Sequence, residues 1–413
     1  MSGIFNRPFK LYNSIQHYDW GTKNEDAFIP KLIGINAEKD KPYAELWIGA
    51  HPKAPSEIEI EGKKIPLNKL IENHAKEILG DYACRKFRGK FPFLLKVLSA
   101  AEALSIQTHP DKEQAKTLHA KDPKNYPDDN HKPEIAIAID SLTAIAGFRP
   151  IEEIITNIKS LPELEEFIGK ELLENIFNEK DSVINKRNVE KLYSAMMKSE
   201  ERKELLNNCI YNISTRLKAK TLLTPEENQF IKQYERYGPD VGLLSFFFFN
   251  LIELKSKQAI FTDAGVPHAY LKGNIIECMA NSDNVVRAGL TEKFKDVDTL
   301  LDIIRFDFKK YHIINSEMND GNVLYQTNAN EFVISAFYKK QNFEMVCKTN
   351  NSPAVYLVTE GSISVSGKFN NADFNQEFFS GESFLIPATL TEYKILTAGA
   401  ADFFVVEVPG LRK

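Results

Sequence analysis

The hydrophobic period of this chain changes twice, and that switch constrains its fold more than any single residue does. Up to about Pro150, apolar residues come in short runs separated by turn residues. Ala44-Glu-Leu-Trp-Ile-Gly49, Phe93-Leu-Leu-Lys-Val-Leu98 and Ile135-Ala-Ile-Ala-Ile139 are examples. Runs of that length and composition read as buried strands. The polar, proline-containing stretch from Lys121 to Asn130 reads as a surface loop between them.

From about Ile151 to Gly238 the spacing becomes helical. Leu164, Phe167, Ile168, Leu172, Leu173, Ile176 and Phe177 fall on one helical face, as do Leu205, Leu206, Cys209, Ile210, Ile213 and Leu217. Thr224-Pro-Glu-Glu227 is a helix start, with a Thr cap, Pro at the first helical position and Glu three residues after the cap. These apolar stripes read as core. Near Val241 the chain returns to strands. The apolar segment Val241 to Leu254, with Phe246-Phe-Phe-Phe249, is too short to span a bilayer and reads as a buried strand or core segment. Residues 320–413 are all-β in pattern, with short runs such as Val355–Val358, Ser362–Ser366, Ser383–Ile386 and Phe403–Val406 punctuated by Gly361, Gly367, Gly381, Pro387 and Gly399. That pattern predicts a sandwich or jelly roll.

Composition narrows the class. A chain of 413 residues predicts two or three domains, and 43% hydrophobic with 26% charged residues is ordinary for a folded globular protein. A net charge of −5 argues against a chain whose main task is to hold a polyanion such as DNA. Cys84, Cys209, Cys278 and Cys347 are far apart in sequence, so there is no CxxC motif, and they read as free thiols in a reducing compartment. The first residues hold no apolar stretch suited to a secretory signal. A cytoplasmic protein without membrane or nucleic-acid partners is the expectation.

Histidine is scarce, and two of the eight stand in suggestive company. Gln107 and His109 are two apart, which on a strand puts both side chains on one face, and Pro110 holds His109 extended. His131-Lys-Pro-Glu134 brings a carboxylate to the start of an apolar strand, and Ala264-Gly-Val-Pro-His-Ala-Tyr270 puts His268 in a turn between strands. Two imidazoles, a carboxylate and an amide oxygen can form a four-ligand site for a metal such as Zn²⁺. A single carboxylate cancels only part of a divalent charge, so such an ion stays acidic enough to polarise a substrate oxygen. Spacing alone does not assemble these residues, because no compact zinc motif joins them. Each also has a bland role: Lys96 as a strand residue facing solvent, Asp283 and Asn284 as turn caps, Arg287 in a structural ion pair.

Several segments are similar to those of type I mannose-6-phosphate isomerases, in family order over most of residues 10–310. They are Ala44-Glu-Leu-Trp-Ile-Gly-Ala-His-Pro-Lys53, Leu104-Ser-Ile-Gln-Thr-His-Pro-Asp-Lys112, Asn130-His-Lys-Pro-Glu134, Gly265-Val-Pro-His-Ala-Tyr270 and Met279-Ala-Asn-Ser-Asp-Asn-Val-Val-Arg-Ala-Gly-Leu-Thr291. The resemblance implies one zinc ion held by Gln107, His109, Glu134 and His268, and an active-site arginine at Arg287. It implies that Lys96, Ser105, His131, Lys132, Glu277 and Asp283 line the substrate pocket. Asp19 stands where many members have a small residue, which alters only the rim. The implied fold is mainly β with a helical domain: two cupin-like jelly-roll barrels plus an α-helical insertion. The divisions are 1–150 and 239–319 for the catalytic barrel, 151–238 for the helical domain and 320–413 for the C-terminal barrel. In that last barrel Phe379-Ser-Gly-Glu-Ser-Phe-Leu-Ile-Pro387 looks like a cupin strand pair without metal-binding histidines.

The implied reaction interconverts mannose 6-phosphate and fructose 6-phosphate by moving a proton between C1 and C2 through a cis-enediol. Glu277, His131, Asp283 and Lys132 are all candidates for its base, and Lys96, Lys132 and Arg287 for gripping the phosphate. A metal-dependent cupin oxygenase and a non-catalytic sugar-phosphate-binding cupin are the alternative readings. The partner is a small sugar phosphate, with a monomer or weak homo-oligomer expected.

Overall fold

The computed structural model describes residues 5–198, 202–369 and 372–409. The chain is mainly β, with antiparallel sheets and a block of helices between residues 151 and 237. The strands expected around Ala44–Gly49, Phe93–Leu98 and Ile135–Ile139 lie within Glu45–Gly49, Phe93–Ala100 and Glu134–Phe148.

These three strands belong to a nine-stranded sheet with the order Ala259–Thr262, Glu134–Phe148, His268–Ala280, Phe93–Ala100, Glu45–Gly49, Ser14–Gln16. Off that path, Phe249–Lys255 pairs with the far half of Glu134–Phe148. The short strand Ile106–Thr108 pairs with both His268–Ala280 and Val286–Gly289. Side chains alternate between the two faces of a strand. One face carries Leu95, Val97, Ile135, Ile137, Ile276 and Cys278, which join a single core with Phe9, Ile58, Val355, Leu385 and Phe404 of the neighbouring sheet. The opposite face receives Glu45, Trp47, Lys96, Glu134, Ala136 and Glu277. Register sets Glu277 beside Lys96 and Lys96 beside Trp47.

The neighbouring eight-stranded sheet runs Asn322–Tyr325, Val333–Lys339, Ala401–Glu407, Ala354–Glu360, Ser383–Ile386, Phe9–Tyr12, Glu57–Ile60, Lys63–Pro66. Three strands from the first 70 residues therefore complete a sheet otherwise built from residues beyond 320. Phe9 pairs with Leu385, and Leu11 with both Ser383 and Ile58. A four-stranded sheet, in the order Phe343–Lys348, Glu392–Thr397, Ser362–Phe369, Ala372–Phe379, closes over its other face. The core between them sets a cluster of aromatic rings, Tyr356, Phe378, Phe384, Tyr393 and Phe403, among aliphatic side chains.

The helical block forms where the period predicted it, with one difference. The stripe from Leu164 to Phe177 is split into helices Leu164–Ile168 and Lys170–Asn178, because Gly169 has φ +106°, outside the helical range. Leu206, Cys209, Ile210, Ile213 and Leu217 are buried along helix Lys203–Lys218. Thr224 caps helix Pro225–Tyr237 as expected: its hydroxyl accepts from the Glu227 N–H, and the Glu227 carboxylate accepts from the Thr224 N–H. The apolar segment at 241–254 is not one element. Val241–Phe247 is a 3₁₀ helix that packs with the helical block, and Phe249–Lys255 is a strand. Among the described residues no helix is long and apolar enough to cross a membrane.

Candidate metal centre and pocket

Three segments meet at one end of the nine-stranded sheet. Glu134 opens its strand, His268 opens the next, and His109 lies one residue past Ile106–Thr108. Their ligating atoms all lie within 4.8 Å of one another, and each residue is 1% exposed. The Nε2 of His268 is 2.6 Å from Glu134 Oε1, and the Nε2 of His109 is 3.6 Å from Oε2. Gln107 reaches the same place by register: it is the strand partner of His268 on one side and of Arg287 on the other.

The tautomers decide what this cluster needs. Nδ1 of His109 lies 2.7 Å from the Asn284 carbonyl, and Nδ1 of His268 lies 2.9 Å from the Val266 carbonyl. A carbonyl can only accept, so each Nδ1 carries a proton and donates it. In the neutral ring Nε2 is then a lone pair. Burial, with the Lys132 ammonium adding to it, pulls His109 down to about 4, so its ring is neutral near pH 7. Burial by itself would raise the Glu134 carboxyl. The Lys132 ammonium, 3.2 Å from Oε2, leads what outweighs it, and Glu134 is held well below the usual carboxylate range. Apart from that ammonium, the cluster is a convergence of acceptors with no proton between the imidazoles and the carboxylate. His109 Nε2, His268 Nε2 and both Glu134 oxygens have no hydrogen-bond partner. Buried acceptors left facing one another are costly, and a cation among them resolves the conflict. The Nδ1–carbonyl bonds are the outer contacts that orient metal-ligating histidines.

Beside the cluster lies a buried charge relay. Lys96 Nζ is 2.9 Å from Glu277 Oε2 and 3.6 Å from Glu45 Oε1, and Trp47 Nε1 donates to the Glu45 carboxylate at 2.5 Å. Burial would lower Lys96, but Glu277 and Glu45 outweigh it and keep the ammonium charged. Burial pushes the Glu277 carboxyl up, against the pull of Lys96, and the Glu134 charge adds to the rise. Lys96 is thus a buried, doubly paired cation and not a strand residue facing solvent. Lys132 Nζ is 3.2 Å from Glu134 Oε2.

The remaining pocket candidates are placed as follows. Asp283 is gripped by Lys53 at 3.0 Å and His51 at 3.5 Å. Burial opposes the shift, but His51 and Lys53 hold its carboxyl down at about 2. His131 turns its Nε2 to Glu331 at 2.9 Å, so its ring is tied to the segment after residue 320. Ser105 is half-buried just before Ile106–Thr108. Arg287 is half-buried without an acidic partner among the described residues, and burial alone lowers its pKa. Its strand is seated by a close backbone approach: a Cβ on Gly289 would lie 2.5 Å from the Cα of Gly242, and Asp240 Oδ1 accepts from the N–H of both Gly242 and Leu290. Asp19 lines a separate hollow of about 580 Å³ with Glu102 and Arg236, bordered by none of the candidate site residues.

Sequence reasoning missed Glu45, His51, Lys53 and Glu331. Glu45 left a signal, a carboxylate inside an otherwise apolar strand. His51 and Lys53 stand in the family-like segment Ala44–Lys53 without a role marked on them, and Glu331 left no signal, because its role comes from a partner far away in the chain.

A buried His/Glu/His cluster at the end of an antiparallel sheet, beside a half-buried free arginine, defines a metalloenzyme-like pocket. The profile of the phosphomannose isomerase type I catalytic domain matches residues 8–151. Mannose-6-phosphate isomerases of Aspergillus fumigatus and Candida glabrata are 34% and 35% identical, over 90% and 95% of this chain and 91% and 97% of theirs. The human protein of the same name is 40% identical over 73% of each chain. Among solved structures, a point mutant of phosphomannose isomerase from Salmonella typhimurium has a TM-score of 0.85 at 28% identity, covering 97% of this chain and 98% of that one. A mannose 6-phosphate isomerase bound with zinc and yttrium has a TM-score of 0.83. This chain belongs to the type I phosphomannose isomerase family.

Proposed function

We propose that this chain is a zinc-dependent aldose–ketose isomerase that interconverts mannose 6-phosphate and fructose 6-phosphate. The observation that carries the reading is the convergence of His109 Nε2, His268 Nε2 and the Glu134 carboxylate, all acceptors, in a member of this family. One zinc ion per chain would be held by these three residues and Gln107. The bound ion supplies positive charge where the substrate oxygens become enediolate.

The chain's own residues do the rest. Glu277 is the best candidate for the base that takes the C2 proton of the aldose and returns it to C1, because burial tunes a carboxyl upward toward operating pH. Asp283, held near 2, is a poor proton acceptor, and His131 is engaged by Glu331. Lys96 stays charged beside Glu277 and disperses its charge. Arg287, the unpaired cation, is free to meet a substrate oxyanion, and Lys132 and Ser105 complete the lining.

We read the finer architecture as two cupin-like jelly rolls flanking a helical domain, drawn at 1–150 and 239–319 for the catalytic unit and 320–413 for the second, with Phe9–Tyr12, Glu57–Ile60 and Lys63–Pro66 lent to the sheet of the second unit. Four thiols, none in a disulfide among the described residues, fit a reducing, cytoplasmic setting. A monomer or weak homo-oligomer without nucleic-acid or membrane partners remains our reading. The relatives named above are isomerases, and no observation favours an oxygenase or a non-catalytic binding protein.

The test is an aldose–ketose conversion assay with mannose 6-phosphate before and after exhaustive chelation. Activity should vanish on chelation and return with added Zn²⁺, and it should not require oxygen. Full turnover by metal-free protein, or none by zinc-loaded folded protein, overturns the reading.

A further inference from the structure

Two loops that flank the metal cluster have no covalent reason to stay together. One, at 128–133, leads into Lys132 and Glu134. The other, at 281–284, supplies Asp283 and the Asn284 carbonyl that orients His109. Several side chains fasten them, and the one that gathers the most bonds lies outside the predicted site. Asp128 Oδ1 accepts from the Ser282 hydroxyl at 2.8 Å, the Asn130 N–H at 3.0 Å and the Asn284 side-chain amide at 3.3 Å. Its Oδ2 accepts from the Asp283 N–H at 2.7 Å. The Asn284 amide also donates to the Asp128 and Asn130 carbonyls, and Asn130 donates back to the Asn281 carbonyl.

We propose that Asp128 is a positioning residue for the metal centre: its carboxylate locks loop 281–284 onto loop 128–133, so that the Asn284 carbonyl holds His109 with Nε2 aimed at Glu134. The inference rests on the zinc reading above. The physical argument is one of valence. An ionised carboxylate is acceptor-only and offers about four lone-pair sites. Here four donors from two loops converge on it, and charge-assisted bonds of this kind are the stronger class. An alanine supplies none, and an asparagine supplies one acceptor oxygen in place of two. Without the clasp, loop 281–284 keeps only the Asn284, Ser282 and Asn130 bonds to main-chain carbonyls, and the Asn284 carbonyl is held less firmly. His109 must then be ordered at the moment of metal binding instead of beforehand, which weakens binding without removing a ligand. Neighbouring Asp129 is the internal control, since it faces outward and pairs only loosely with Arg88 at 3.6 Å.

The experiment is zinc titration of the full-length apoprotein against a chromophoric chelator, with thermal melts and circular dichroism of each apoprotein. Asp128→Ala should bind zinc about 10- to 100-fold more weakly while Asp129→Ala matches wild type, since loss of an outer-shell partner typically costs that much. Asp128→Asn should lie between them, about three- to tenfold weaker, and it decides the matter if the alanine variant does not fold. Each titration is run well below the apo melt of the variant, where circular dichroism shows a folded apoprotein, which separates metal positioning from general loop stability. Wild-type zinc affinity in folded Asp128→Ala, or in Asp128→Asn where the alanine variant does not fold, overturns the proposal, as does an equal loss in Asp129→Ala. Wild-type protein that binds no zinc at all would instead overturn the metal reading on which the proposal stands.

Discussion

The two sheet units fill their interiors with opposite chemistry. The C-terminal core is a stack of rings: Phe378 and Phe384 lie 3.9 Å apart, Tyr356 and Phe384 4.7 Å, Phe337 and Phe403 4.7 Å. Its buried hydroxyls pair with each other, Tyr356 to Tyr393 at 2.7 Å. The pocket face of the nine-stranded sheet holds Glu45, Lys96, Lys132, Glu134 and Glu277 with two histidines, all 7% exposed or less. Burying an ion costs several kcal/mol after relaxation, and pairing repays that only in part. The contrast teaches where stability and chemistry are made. The aromatic unit contributes burial energy, and the charged unit holds poised, partly unsatisfied groups that the rest of the molecule must stabilise.

The sharpest test of this division is Arg287→Ala. It removes a cation from the charged pocket and touches no apolar core, so turnover should fall by about 10²- to 10³-fold, while the melting temperature and zinc content stay at wild-type values. Near-normal turnover would remove Arg287 from the chemistry. The reciprocal change is Phe384→Ala, which empties a fully buried ring site in the C-terminal core. Chemical denaturation should show a loss of about 3–5 kcal/mol, with kcat of the folded enzyme within about twofold of wild type. A tenfold drop in kcat of fully folded protein would break the comparison, because the aromatic unit would then be shaping the pocket.

The smallest expected effect comes from Asp283→Asn. The Asp283 carboxyl lies at about 2 in the folded chain against an ordinary 3.8. A lowered folded pKa gives stability that is fully present above the ordinary value and lost as pH falls toward the folded one. Its ionisation is therefore worth roughly 2 kcal/mol above about pH 4, a little less than the shift implies because the side chain is partly exposed. Unfolding curves should show that gap between wild type and variant above pH 4, narrowing as pH falls from about 4 toward 2. A gap that does not narrow over that range would contradict the assigned contacts with His51 and Lys53.

Much of the architecture was legible locally. Strand and helix periods placed Ile135–Ile139, the first part of strand Glu134–Phe148, and helix Lys203–Lys218, and Thr224 with Glu227 marked a helix start that forms as read. The stripe from Leu164 to Phe177 misled because Gly169 adopts positive φ, which periodicity does not record. The site was legible in a different way. Two-residue spacing set Gln107 and His109 on one strand face, and family motifs supplied Glu134 and His268. Neither route pointed to Asp128, which sits in a polar loop indistinguishable from any other solvated turn.

What the sequence determined by itself was the kind of element at each position and the chemical types available to a site. Those depend on interactions among residues a few places apart, such as side-chain alternation, capping and backbone preference. Only the tertiary structure decided the partners. It put Phe9 beside Leu385, gave Lys96 two carboxylates, turned His131 to Glu331 and pulled Asp283 onto His51 and Lys53. It also decided that the Gln107–His109 strand would lie against His268 on one side and Arg287 on the other. Such pairings depend on closing loops across much of the chain and on sheet register, where a slip of one residue turns every side chain to the other face.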